Sequence, residues 1–141
     1  MKDQLPALPS DLIRLSIRDL RAAIASPLYV IDMDAWHNPC GSVCEVCLAG
    51  AVMAGTLHVD IDRAISSYHL EDIITKMDAN RLDALDDFRG GHTELGLSKL
   101  GLELPLGLPY TVMMEDYNPT NPELFISDME TLANELEEVG Y

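Results

Sequence analysis

The chain has 141 residues, 48% of them apolar, and carries 24 acidic against 9 basic residues for a formal net charge of −15. That length and apolar content suffice for one hydrophobic core without disulfide staples, while the charge excludes nonspecific binding to DNA, RNA or anionic lipid, which all call for a cationic surface. No stretch approaches the roughly 20 apolar residues that span a bilayer, nothing after Met1 reads as a signal peptide, and the 3 cysteines make no disulfide framework, so the expectation is a single cytoplasmic domain over residues 1–141.

In chain order, residues 1–9 are expected to be flexible. Ser10, after Pro9 and before Asp11, has the side chain of a helix cap. Ile13, Ile17, Leu20 and Ile24 then fall on one helical face that Ser26-Pro27 ends. The β-branched and aromatic run Leu28-Tyr29-Val30-Ile31 reads as a buried strand, and Asp32-Met33-Asp34 and Asn38-Pro39 mark the loop after it. Ser42 with Glu45 has the S-x-x-E spacing of a capping box, which predicts a helix from Val43 to Gly55. Short helices follow at Leu70 to Met77, at Ala79 to Arg89 before Gly90-Gly91, and at Thr93 to Leu100 with Thr93 as cap and Gly101 beyond its end. Residues 101–121 form a long loop-rich connection, with the apolar run Leu102 to Leu108 and a candidate second strand at Tyr110 to Met114. Asn121-Pro122-Glu123 opens an acidic C-terminal helix over 122–139, whose inward stripe is Leu124, Phe125, Met129, Leu132, Ala133 and Leu136. These elements predict an α+β fold, a mostly helical single domain packed around a short strand or small sheet.

The three cysteines stand together. Cys40, Cys44 and Cys47 match the C-x3-C-x2-C spacing that holds an iron–sulfur cluster in radical S-adenosylmethionine enzymes, but those need a large barrel of parallel strands that this chain is too short to build. His37 with Cys40, Cys44 and Cys47 has the donor types and number for zinc, although the last two would lie along a helix stripe rather than around a point. Cys44 near a helix start is a candidate nucleophile for a cysteine-dependent hydrolase, yet Asp34 and Glu45 oppose thiolate formation, and no motif selects His58, His69 or His92 as its base. The reading that needs no coincidence is a stripe of small residues, Cys44, Cys47, Ala51 and Ala54, on a closely packed helix. Catalysis and a cofactor are accordingly not expected, with zinc as the alternative cofactor.

The run Tyr29 to Met33, then Trp36-His37, then Cys44-Glu45-Val46-Cys47-Leu48-Ala49-Gly50-Ala51-Val52-Met53-Ala54 resembles a family of small proteins encoded by tailed bacteriophages and prophages. Leu82 to Gly90 resembles the family's second recurring block, and the likeness covers residues 10 to 95. It brings no assigned activity. A phage context implies a short menu: an inhibitor of a host defence protein, a protein that sequesters a nucleotide immune signal, or a regulator of host or phage enzymes.

Two features bear on that menu. Arg14, Arg18 and Arg21 fall at helical offsets in an otherwise acidic chain, and guanidinium groups suit bidentate phosphate binding. A nucleotide would then sit between this stripe and Tyr29, Trp36 or His37, unless Asp11 and Asp19 simply pair with the arginines on a solvated face. After Lys99 the chain has no basic residue at all, so the alternative is an acidic inhibitor that docks on a host defence or nucleic-acid-binding protein through the C-terminal helix. Asp83, Asp86 and Asp87 read as a solvated face rather than a cation loop. The Leu102 to Leu108 run makes a homo-oligomer the expected assembly.

Overall fold

The computed structural model describes residues 2–27, 48–57, 74–103 and 122–141 in full and the backbone of 29–31, 37–40 and 43–46. The elements run α1 (Pro9–Ala25), β1 (Tyr29–Ile31), β2 (His37–Cys40), β3 (Val43–Val46), α2 (Leu48–Gly55), α3 (Lys76–Arg89), α4 (Thr93–Lys99) and α5 (Pro122–Glu138).

The expected α+β fold is corrected by where the core lies. Of the residues whose side chains are described, 73% are in five helices and none is in a strand. The buried cluster is built from α1, α2, α3, α4 and α5 with a few flanking residues, and its largest members include Leu12, Ile13, Leu20, Met53, Phe88 and Phe125. Among the described residues the core is helix on helix, not helices around a central strand. Tyr29–Ile31 does extend, but as one of three short backbone segments in the order β1-β3-β2. β1 runs parallel to β3, with Tyr29 opposite Cys44 and Ile31 opposite Val46. β2 runs antiparallel to β3, with His37 opposite Val46 and Cys40 opposite Val43.

α1 and α5 share one burial pattern. Leu12, Ile13, Ser16, Ile17, Leu20 and Ala23 are buried on α1, and Phe125, Ile126, Met129, Leu132, Ala133 and Leu136 on α5. Both sets recur at three- and four-residue steps, the signature of one apolar face. Two members of the expected faces turn outward instead, Ile24 at 39% and Leu124 at 45% exposure. The helices pack antiparallel, because the Ser10 N–H donates to the Tyr141 carbonyl oxygen at 3.1 Å while Arg21 meets Glu123 near the start of α5. Ser10 itself is buried inside α1 and is not its cap. The helix starts one residue earlier at Pro9, whose fixed φ and missing N–H suit the first turn, with Leu8 at the cap position and no side-chain bond there.

The predicted helix from Val43 to Gly55 is also corrected. Val43–Val46 is extended, and the helix begins only at Leu48. β-branched Val43 and Val46 favour a pleated backbone, and neighbours on both sides satisfy the β3 backbone groups that a Ser42–Glu45 box would have satisfied only in part. α2 is buried from Leu48 through Met53, as a helix apolar on every side must be. A Cβ built on Gly55 would come within 2.7 Å of the Asp19 carboxylate of α1, so glycine is what allows this approach.

In place of two helices over 70–77 and 79–89, one helix runs from Lys76. Thr75 caps it by accepting from the Asp78 N–H at 3.1 Å, and residues 70–73 lie outside the described residues. α4 follows through Gly91, with His92 at its cap position and Thr93 as its first residue. Gly101, at φ +86°, lies just beyond the end of α4, as expected of a C-terminal glycine. α3 and α4 pack so tightly that a Cβ on Gly96 would meet the Phe88 ring at 2.5 Å. The ion pairs here are local: Arg89 with Asp86 at 3.0 Å and Lys99 with Asp87 at 2.8 Å. The Asp87 hydrogen bond holds the Lys99 pKa above the ordinary lysine value, so this pair stabilises the fold at neutral pH and its contribution is lost as the pH rises through the raised Lys99 pKa.

Residues 3–5 are tied across the start of α3. The Gln4 and Leu5 N–H groups donate to the Asp78 carboxylate at 2.8 and 3.1 Å, Arg81 donates to it at 3.0 Å, and Leu5 enters the core. The candidate strand at 110–114 and the Leu102 to Leu108 run beyond residue 103 lie outside the described residues.

Two outcomes follow for urea denaturation. Gly96→Ala forces a methyl against a fully buried ring and lowers stability by about 1–3 kcal/mol. Asp78→Ala leaves the Gln4 and Leu5 amides without their acceptor, while Arg81 keeps the Leu5 carbonyl and Asp3; it costs about 1–3 kcal/mol for each buried donor left unsatisfied, with Gln4 and Leu5 losing amide-exchange protection in parallel.

Candidate functional site

The arginine stripe is where α1 and α5 meet water. Seven residues separate Arg14 from Arg21, and the same interval separates Glu123 from Glu130 and Glu130 from Glu137. Two antiparallel helices with charges at that interval present complementary stripes along their seam, as flanking charges do in coiled coils.

The contacts are direct. Arg14 Nη2 donates to Glu137 Oε2 at 2.6 Å and to Asn134 Oδ1 at 3.0 Å. Arg21 grips Glu123 with two parallel bonds, Nη1 to Oε1 at 3.0 Å and Nη2 to Oε2 at 3.3 Å, and reaches Glu130 Oε1 at 3.4 Å. Glu123, with Glu130 adding to it, holds the Arg21 guanidinium above its ordinary pKa. Arg18 turns toward α2: its Nε and Nη2 donate to Asp19 Oδ1, and Nη2 also donates to Thr56 Oγ1 at 2.9 Å. Thr56 in turn donates to the other Asp19 oxygen at 2.5 Å.

Between these groups lies an open groove of about 460 Å³ lined by Arg14, Ile17, Arg18, Arg21, Glu130 and Asn134. The lining carries three cations against one carboxylate. The side chains of Arg14, Arg18 and Arg21 stay 38%, 63% and 47% exposed. The Arg14 and Arg21 pairs are exposed on both sides and worth about 0–1 kcal/mol, so their carboxylates orient these guanidinium forks without closing them to a stronger acceptor.

The structure therefore brings Arg14, Arg18 and Arg21 together. Of the expected local partners, Asp19 pairs with Arg18, while Arg14 and Arg21 take theirs from α5. Glu123, Glu130, Asn134 and Glu137 are the residues that sequence reasoning missed; the seven-residue interval of the three glutamates was the available signal. Tyr29 and His37 are placed by backbone alone, on β1 and β2 at either side of β3, and Trp36 lies outside the described residues.

The cysteine readings change with the backbone. Cys44 is in extended β3, opposite Tyr29 and Pro39, so it shares no helical stripe with Ala51 and Ala54 and does not stand at the start of α2. Cys40 is on β2 opposite Val43, and Cys47 lies outside the described residues. Side-chain positions at His37, Cys40 and Cys44 are likewise outside what is described. Asp86 and Asp87 are engaged by Arg89 and Lys99. No described helix is long and apolar enough to cross a membrane. The chain matches no family model, no curated protein and no solved structure.

A double-mutant cycle on Arg14→Ala and Glu137→Ala is expected to give a coupling of about 0.2–1 kcal/mol in thermal denaturation at low salt, falling toward zero in roughly 1 M salt as screening removes it.

Proposed function

We propose that the protein is a non-enzymatic binding protein that holds a phosphate-bearing ligand of the nucleotide class in the groove between α1 and α5. The observation that carries this reading is the convergence of Arg14, Arg18 and Arg21 on one open groove with Ile17 beside them. Guanidinium forks match the oxygens of a phosphate in a planar, bidentate geometry. Ile17 and the alkyl stems of the arginines offer an apolar surface to a base, and the Asn134 amide adds a neutral donor and acceptor at the rim. In a chain of net charge −15, the lining of this groove carries three of the nine basic residues.

The resemblance to small phage proteins supplies the setting of the proposal. The protein would act in the cytoplasm of an infected bacterium by neutralising a host component, with a nucleotide immune signal as the first candidate. The alternative, an acidic inhibitor of a host defence protein, is less favoured by the geometry, because α5 turns Glu123, Glu130 and Glu137 onto the arginines of α1 rather than presenting them unpaired.

Isothermal titration with AMP and ATP at low salt tests the assignment. Each of Arg14→Ala, Arg18→Ala and Arg21→Ala is expected to weaken binding by about tenfold or more, the usual size for a charge-assisted hydrogen bond. Binding that survives all three substitutions overturns it. An activity in host defence lost only on charge neutralisation of α5 would point to the acidic inhibitor, and one lost only in Cys44→Ser to a hydrolase.

A further inference from the structure

Resting on the reading of the groove as a phosphate site, we propose that it selects ligands with two separated phosphate groups, such as a dinucleotide, over ligands with one. Arg14 and Arg21 are seven residues apart on α1, which places their backbone origins about 10 Å apart along the axis. Each is held at its own end of the groove by its own carboxylates, Arg14 by Glu137 and Arg21 by Glu123 and Glu130. The more exposed Arg18 stands between them.

An incoming anion therefore meets guanidinium groups that already have acceptors. A ligand with one phosphate replaces an exposed pair worth about 0–1 kcal/mol by one stronger charge-assisted contact, a small gain from which the loss of translational and rotational freedom must still be subtracted. A ligand with two phosphates set apart loses that freedom once and makes two exchanges, the second at high effective concentration. The groove's own carboxylates thus set a threshold that a second phosphate overcomes. Glu130 is central to this threshold, since it is the one carboxylate on the lining itself and also a partner of Arg21. Removing its charge both frees a donor of Arg21 and takes a negative charge out of the groove.

The test compares the 5′-phosphorylated adenosine dinucleotide, AMP and inorganic phosphate on the full-length protein by isothermal titration at low salt. The dinucleotide is expected to bind at least about tenfold tighter than AMP, and Glu130→Gln to tighten both several-fold. A gain of affinity in Glu130→Gln is a result that misfolding cannot imitate. Equal affinity for the dinucleotide and AMP, or no gain in Glu130→Gln, overturns the selection while leaving the phosphate site standing as long as binding needs the arginines. Absence of binding in both wild type and Glu130→Gln overturns the site and the selection together.

Discussion

Helix α1 has to be buried on two sides at once, and the rest of the described structure is arranged to do it. Its apolar face of Leu12, Ile13, Ile17, Leu20 and Ala23 is wider than one neighbour can cover. α5 closes one side with a matching row, and α2 closes the other with a surface of small residues around Ala51 and Gly55. Non-directional burial of this kind supplies most of the driving force for helix association. It also leaves the polar flanks of α1 no choice of neighbour. Arg14 and Arg21 fall beside α5, while Arg18 and Asp19 fall beside the end of α2.

That arrangement gives the charges two different tasks. Asp19 is buried, and it accepts from both Arg18 and Thr56, so that a carboxylate excluded from water keeps its partners. Asp78 does the same at the start of α3, where two backbone amides and Arg81 converge on it and tie Gln4 and Leu5 to the helix. The pairs along the α1–α5 seam stay in water and hold their partners weakly. Buried acids hold the helices and the N-terminal segment in place, whereas the exposed seam is the part of the charge pattern with donors to exchange.

Much of the helical frame was legible before any coordinates. α5 starts at Pro122, Gly90-Gly91 separates α3 from α4, and most of the periodic apolar residues of α1 lie on one buried face. The errors have physical causes. Ser42-x-x-Glu45 has the letters of a capping box, but β1 and β3 pair their backbones there, and long-range strand pairing leaves no trace in a local four-residue pattern. Thr75-x-x-Asp78 is the working cap of α3, and it lies inside the stretch Leu70 to Met77 that reads as a helix of its own. Ile24 and Leu124 fit a helical stripe at the limit of its width, where the position of a neighbouring helix decides which side of the boundary a residue takes.

The amino-acid sequence by itself determined the acidic balance of the chain, the positions of most helices and the alignment of three arginines along α1, because each depends on composition or on the 3.6-residue period of one helix. It also contained the seven-residue interval of Glu123, Glu130 and Glu137. Only the tertiary structure decided that the two intervals face each other. A helix knows its own stripe but not its neighbour's, and the choice of α5 as the partner of α1 comes from burying two apolar faces far apart in the chain. The same packing turned the arginine stripe into an open seam in which Arg14 and Arg21 meet the acids of α5 while Arg18 turns to Asp19 and Thr56, and β3 broke the apparent helical stripe of the cysteines.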